Sequence, residues 1–391
     1  MDNFTFYAPT FFAFGEGQEA ETGRLVRRFG GTKVLLHYGG GSIMKNGVYA
    51  AVTAALEKEG IPYVELGGVK PNPRSGLVRE GIELCRREKV DFILAVGGGS
   101  VIDSSKAIAM GVPYDGDFWH FFSTNNVPEE MLPVGVVLTI PAAGSEGSPN
   151  AVITLEEGNL KWGSRKADII RPRFAVMNPR FTCSLPAYQT ACGVTDMMAH
   201  ILERYFSHTP EVEVTDRLCE ALLKTIIEAA PRVIADPNDY GARANIMWAG
   251  MLAHNNSCGV GRDQDWASHQ IEHELSALFD VAHGAGLAVA MPAWMEYVLS
   301  TGETNRLLQF AVRVWGIDPD FAHPELTARQ SIVRFKEFLR SIGMPTTLPE
   351  LGIGEADIPR LIEHRRPKGF PYGGFVKIDE AAMEEILRLA L

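Results

Sequence analysis

Two apolar runs in the first hundred residues each end in Gly-Gly-Gly-Ser, and a helical pattern follows each. The first run is Lys33–Tyr38, closed by Gly39-Gly40-Gly41-Ser42. The second is Asp91–Val96, closed by Gly97-Gly98-Gly99-Ser100. A short apolar run bounded by glycines reads as a buried strand. Two further runs, Pro62–Leu66 and Val134–Ile140, have the same character, and helical patterns begin near Met44, after Pro73 and after Ser100. Strands that alternate with helices must pair in parallel through right-handed crossovers, so this half of the chain is expected to be a layered α/β domain.

The pattern changes after Cys183-Ser184-Leu185-Pro186. From there the spacing predicts helices over 187–206, 212–235, 242–255, 266–279 and 283–299, with few convincing strands. Pro231, Pro237 and Pro292 are expected to end or bend them. A length of 391 residues favours two domains. The expected fold is an α/β dinucleotide-binding domain with a parallel sheet over 1–184, followed by an all-α metal-binding and catalytic domain over 185–391.

Composition narrows the function. A net charge of −11 argues against a nucleic-acid partner. The N-terminus lacks a basic region followed by an apolar core, and no apolar run approaches the ~18 residues that span a bilayer. Five widely spaced cysteines, none in a C-x-x-C pair, read as reduced thiols. A cytoplasmic enzyme acting on a small molecule fits these features, without a membrane or nucleic-acid partner.

Glycines at a strand-to-helix turn admit close backbone approach, and the helix N-terminus offers unpaired N–H groups to a phosphate. Two such loops after parallel strands favour a dinucleotide over a ligand-free turn, although neither matches G-x-G-x-x-G or a Walker A sequence. The first loop bears on which dinucleotide. NAD sites usually place an acid on the ribose hydroxyls. His37-Tyr38-Gly39-Gly40-Gly41-Ser42 has none, while Gly40 and Ser42 leave room for a 2′-phosphate and Lys45 adds charge. NADP(H) is therefore favoured over NAD(H).

Asp196 and His200 stand four residues apart in a helical stretch and share one face. His269 and His283 lie downstream among aromatic, small and acidic residues. One carboxylate and three imidazoles suit Zn²⁺ or Fe²⁺ better than Mg²⁺ or Ca²⁺. His269-Gln270-Ile271-Glu272-His273 also fits H-x-x-E-H, in which both histidines would bind zinc and Glu272 would be the base of a peptidase. That alternative leaves the glycine loops and the Asp196/His200 pair without a role.

The stretches Pro71-Asn72-Pro73, Gly97 to Lys106, Thr139 to Glu146, Asp196 with His200, and His269 through Gly286 together resemble the iron-containing (group III) alcohol dehydrogenase family, in its NADPH-dependent butanol dehydrogenase and aldehyde reductase branch. The resemblance runs along nearly the whole chain. It implies that Asp196, His200, His269 and His283 bind one divalent metal. It also implies that Gly97, Gly98, Gly99, Ser100 and Asp103 contact the dinucleotide. Asn72, Thr139, Ser148 and Asn150 would line the rest of the cofactor site, and Lys161 would approach the nicotinamide ribose. Ala143 stands where many members carry threonine, and Asn178-Pro179 replaces a frequent Asp-Pro.

The expected reaction is hydride transfer between NADP(H) and a small alcohol or aldehyde such as butanol or butanal. The metal would polarise the carbonyl oxygen, and His273, one turn after His269, would serve as a proton relay. A dehydroquinate-synthase-like lyase on the same fold is the other alternative. Trp162, Phe279, Trp294 and Phe370 are pocket candidates that would equally serve as core. The N-terminal strands, including Phe4 to Phe14, offer an edge for a homodimer.

Overall fold

The computed structural model describes residues 1–165 and 168–391. Among the described residues there are eight strands: β1 (Phe11–Phe14), β2 (Val34–Tyr38), β3 (Tyr63–Leu66), β4 (Phe92–Gly97), β5 (Val134–Leu138), β6 (Ala151–Leu155), β7 (Leu160–Ser164) and β8 (Phe174–Met177). Six of them form one parallel sheet in the order β1-β8-β5-β4-β2-β3, and β6 and β7 make an antiparallel hairpin. Strands β4 and β5 are buried along their whole length. Burial on both faces explains their continuous apolar runs. Ile93 and Ala95 enter one core cluster, while Phe92, Leu94 and Val96 enter the other.

The four strands read from sequence appear in place. Of the N-terminal stretch expected to be strand, Phe4 to Phe14, only Phe11–Phe14 is strand β1; strand β8 and the β6–β7 hairpin were not expected. In the hairpin, Gly158 and Asn159 take positive φ values of 86° and 54° between Leu155 and Leu160, which face each other. Strand β1 lies at the sheet edge.

Between and around the strands lie α1 (Thr22–Arg28), α2 (Ser42–Lys45), α3 (Val48–Lys58), α4 (Ser75–Glu88), α5 (Gly99–Gly111) and α6 (His120–Ser123). Later in the chain come α7 (Ala187–Tyr205), α8 (Glu213–Ala235), α9 (Tyr240–His254), α10 (Ala267–Phe279), α11 (His283–Ser300), α12 (Asn305–Arg313), α13 (Pro324–Ser341), α14 (Ile358–Arg365) and α15 (Glu380–Leu389). Of the two outcomes expected at these prolines, ending and bending, the first does not occur at Pro231 or Pro292. Helix α8 runs through Pro231 and α11 runs through Pro292, so neither proline ends its helix. Each removes one backbone donor, but neighbouring turns carry the helix onward. Pro237 does lie just beyond the end of α8.

The contacts group the chain into a sheet unit, Tyr7–Leu185 with Pro237–Asn255, and a helical unit, Met1–Phe6 with Pro186–Asp236 and Asn256–Leu391. Helix α9 thus belongs with the sheet. Trp248 meets the edges of Phe12 and Phe14 at ring separations of 5.7 and 5.6 Å. In the helical unit, Trp294 is fully buried and packs on Phe206 at 5.0 Å, which makes it core. Among the described residues, no helix is long and apolar enough to cross a membrane.

Candidate metal centre and dinucleotide loops

Three imidazoles converge on one carboxylate oxygen. His200 Nδ1 lies 3.2 Å from Asp196 Oδ1, and His269 Nε2 and His283 Nε2 each lie 3.7 Å from it. One ligand atom from each of Asp196, His200 and His269 falls within 4.8 Å of the other two. Ligands about 2.1 Å from a tetrahedral ion stand about 3.4 Å apart, so the observed spacings bracket what such an ion needs. Asp196 Oδ1 and His269 Nε2 are buried and, among the described residues, make no hydrogen bond. Buried polar atoms of that kind call for a partner, and a divalent cation answers both at once. The donor set and these two atoms therefore fit the implied metal.

Local structure explains why these side chains meet. Asp196 and His200 share a face of α7, whose second half is wholly buried. His269 stands in the first turn of α10, and His283 opens α11. Helix α11 can approach α7 there only because residue 284 is glycine: a Cβ on Gly284 would sit 2.1 Å from Cys192 O.

Two glutamates complete the arrangement: Glu203, which the sequence reading passed over, and Glu272, which it weighed only as a peptidase base. Glu203 Oε1 accepts from the backbone N of His269 and lies 2.9 Å from its Nδ1. Glu272 Oε2 pairs with His283 Nδ1. Both glutamate side chains are fully buried. A carboxylate on Nδ1 fixes the tautomer and leaves Nε2 to face an ion. Burial pushes the His269 imidazole down, but Asp196 and Glu203 outweigh it and lift its pKa to about 9. Burial, reinforced by His269, Arg204 and His283, holds His200 well below its ordinary value. Trp266 closes one side, with its ring 5.8 Å from that of His200 and 5.2 Å from that of His269.

His273 is half-buried on α10, with its ring 5.9 Å from that of His283. It is not brought into the Asp196, His200 and His269 cluster. With Glu272 engaged by His283, the H-x-x-E-H peptidase arrangement finds no support.

The sheet unit carries the dinucleotide candidates. Gly97 ends β4, and α5 starts at Gly99 with no side-chain cap and no acid in its first turn, which leaves donors free for an anion. A Cβ on Gly98 would sit 2.8 Å from Ile140 Cβ, so packing demands glycine there. Gly39, Gly40, Gly41 and Ser42 follow β2. Gly40 and Gly41 lack a positive φ, and a Cβ on either would meet nothing within 4 Å, so neither backbone nor packing requires glycine at these two positions.

Asn72 is buried with φ 54°. Thr139, just past β5, donates its backbone N–H to Gly97 O at 3.0 Å. Asp103 accepts from Ser145 Oγ at 2.6 Å and from Val152 N at 2.9 Å. Ser148 is buried, and Asn150 Nδ2 lies 2.6 Å from His254 Nε2. Lys161 is buried on β7. On β3, Glu65 accepts from the phenols of Tyr38 and Tyr49 at 2.9 and 2.7 Å, placing an acid beside β2 that the reading of the 37–42 stretch alone missed.

The sheet unit thus carries glycine loops that follow parallel strands, and the helical unit carries a carboxylate–imidazole cluster that fits a divalent metal. Two family models cover the chain: iron-containing alcohol dehydrogenase over residues 9–179, and the C-terminal part of the Fe-containing alcohol dehydrogenase family over 190–391. The chain belongs to the iron-containing alcohol dehydrogenase family and is an alcohol dehydrogenase.

The chain is 42% identical over 391 residues to the probable NADH-dependent butanol dehydrogenase 2 of Bacillus subtilis, covering 100% of this chain and 99% of that protein. It is 37% identical over 372 residues to the NADPH-dependent aldehyde reductase YqhD of Escherichia coli, covering 94% of each. The crystal structure of NADH-dependent butanol dehydrogenase A from Thermotoga maritima matches with a TM-score of 0.95 and 41% identity, covering 100% of this chain and 99% of that one.

Proposed function

We propose that this alcohol dehydrogenase moves hydride between NADP(H) and a small alcohol or aldehyde, butanol and butanal among them. The observation that carries the reading is the convergence of three imidazole nitrogens on Asp196 Oδ1, with the Nδ1 atoms of His269 and His283 tied to buried glutamates.

In this reading Asp196, His200, His269 and His283 hold one Fe²⁺ or Zn²⁺. When bound, the ion supplies Lewis acidity that favours negative charge on the carbonyl oxygen. Glu203 and Glu272 keep the Nε2 atoms of His269 and His283 turned to the ion. His273 moves the proton that balances hydride transfer. The backbone at Gly97, Gly98, Gly99 and Ser100 receives the pyrophosphate. Asp103, Asn72, Thr139, Ser148 and Asn150 shape the rest of the cofactor site, and Lys161 approaches the nicotinamide ribose.

Preference for NADP(H) is supported by the open space at Gly40 and Gly41 and by the exposed Lys45. The held position of Glu65 weighs toward NAD(H), and the relatives carry both names. A homodimer is supported by the edge position of β1 and the exposed Phe11. A cytoplasmic setting is supported by five cysteines, none of them in a disulfide.

The test is a screen of the purified protein with butanal and NADPH or NADH, in the presence of Fe²⁺, Zn²⁺ or a chelator. Loss of nicotinamide absorbance that needs the ion and is faster with NADPH is expected. Equal turnover in chelator, or none with any aldehyde, contradicts the reading.

A further inference from the structure

Lys106, on α5, is fully buried. Its ammonium lies 2.7 Å from Ser145 O, 2.7 Å from Ser145 Oγ, 2.9 Å from Ser148 O and 2.7 Å from Asn150 O. All four oxygens are neutral, and all come from one six-residue segment. An ammonium has three N–H donors, so four close oxygens form a shell around a cation in which at least one donor is shared. Three backbone carbonyls pointing at one buried place repel one another unless positive charge sits between them.

The segment is anchored on its other sides. Asp103 accepts from Ser145 Oγ and Val152 N, and Arg171 Nη1 donates to Gly147 O and Asn255 O. Burial lowers the Lys106 ammonium to about 8, against Asp103 and Glu146, so it is mainly charged at neutral pH.

We propose that Lys106 is a positioning residue whose ammonium acts as a tethered monovalent cation, folding residues 145–150 around itself so that Ser148 and Asn150 are presented to the dinucleotide. The segment is then a latent site for a small free ammonium ion, which will occupy the shell when the lysine side chain is cut away. The inference rests on the dinucleotide reading above. It assigns Lys106 no contact with substrate or cofactor.

The experiment compares the parent with Lys106→Ala and Lys106→Met. NADPH binding is read by fluorescence, and KM for NADPH, kcat and metal content are measured. Each is repeated in methylammonium chloride and, at equal ionic strength, in tetramethylammonium chloride, whose cation is too large for the shell. Charge-assisted hydrogen bonds of ~1.5–3 kcal/mol correspond to a rise in KM of about 10- to 150-fold. Both variants are expected to show such a rise with kcat changed far less and metal content unchanged. Methylammonium is expected to recover several-fold in Lys106→Ala, where the shell is vacated, and little in Lys106→Met, where the side chain fills it.

Native KM in either variant overturns the proposal. So does a weakened Lys106→Ala that responds equally to the two salts. Should both variants fail to fold, Ser145→Ala removes one oxygen of the shell and is expected to raise KM several-fold at native metal content; a native KM there overturns the proposal as well. A parent that binds neither NADPH nor NADH sinks the dinucleotide reading itself, whereas a parent that binds beside an unaffected variant sinks only the role of Lys106.

Discussion

Replacing Glu203 by glutamine tests whether a buried carboxylate sets the metal affinity through His269. Glu203 accepts from His269 N at 2.9 Å and lies 2.9 Å from Nδ1, with no exposure of its side chain. Glutamine keeps the length and one oxygen but loses the charge. If its oxygen stays on Nδ1, the charge-assisted bond becomes a neutral one, a loss of about 1.5 kcal/mol or roughly tenfold in affinity. If its NH₂ turns to Nδ1, the proton is driven to Nε2 and that nitrogen is blocked from the ion, so the loss is larger. The expected range is thus about 10- to 100-fold weaker binding, as for other carboxylates behind metal-bound histidines. The assay is Zn²⁺ or Co²⁺ competition against a chromophoric chelator, with thermal melting of the metal-free variant as the control for folding. A folded Glu203→Gln protein that binds the ion as tightly as the parent refutes the reasoning.

Two further outcomes follow from packing and burial. Burial lowers His37 from 6.5 to about 4, opposed by its contact with Leu66 O. A depressed imidazole contributes fully above pH 6.5, and that contribution is lost as pH falls toward 4, a change of about 3 kcal/mol. Melting temperature is expected to fall over that window in the parent and to fall less in His37→Asn; equal slopes would exclude His37 as the source. Gly284→Ala forces a Cβ to 2.1 Å from Cys192 O. It is expected to cost about 1–3 kcal/mol in thermal melting and to displace His283 enough to lower metal content, whereas an unchanged melt and full metal loading would show that α7 and α11 yield freely.

Much of the frame was legible because it is local. Strands β2, β3, β4 and β5 announce themselves as apolar runs closed by glycine or followed by helical patterns, and helices α7 to α11 begin and end within about two residues of where periodicity places them. Strand β8 was missed because Phe174–Met177 is only four residues long and gains its identity from pairing with β5 and β1, both distant in the chain. The Gly158-Asn159 turn did carry a hairpin signal that went unused.

The proposed metal ligands were legible as residue types, and their assignment to one centre came through family resemblance. The two glutamates behind them were half-legible. Glu203 continues the Asp196 and His200 stripe of α7, and Glu272 stands three residues after His269 on α10. Helical spacing marks both as inward-facing acids. It does not reveal that Glu203 serves His269 or that Glu272 serves His283, because those pairings are made between helices.

The central claim is that one divalent ion on Asp196, His200, His269 and His283 is required for turnover. Stepwise addition of Fe²⁺ or Zn²⁺ to metal-free protein, with NADPH oxidation by butanal followed at each step, tests it most directly. The account predicts negligible rate without metal, a linear rise that stops at about one equivalent per chain, and no rise in Asp196→Ala. Full turnover in the metal-free protein, or an undiminished response in Asp196→Ala, would contradict it.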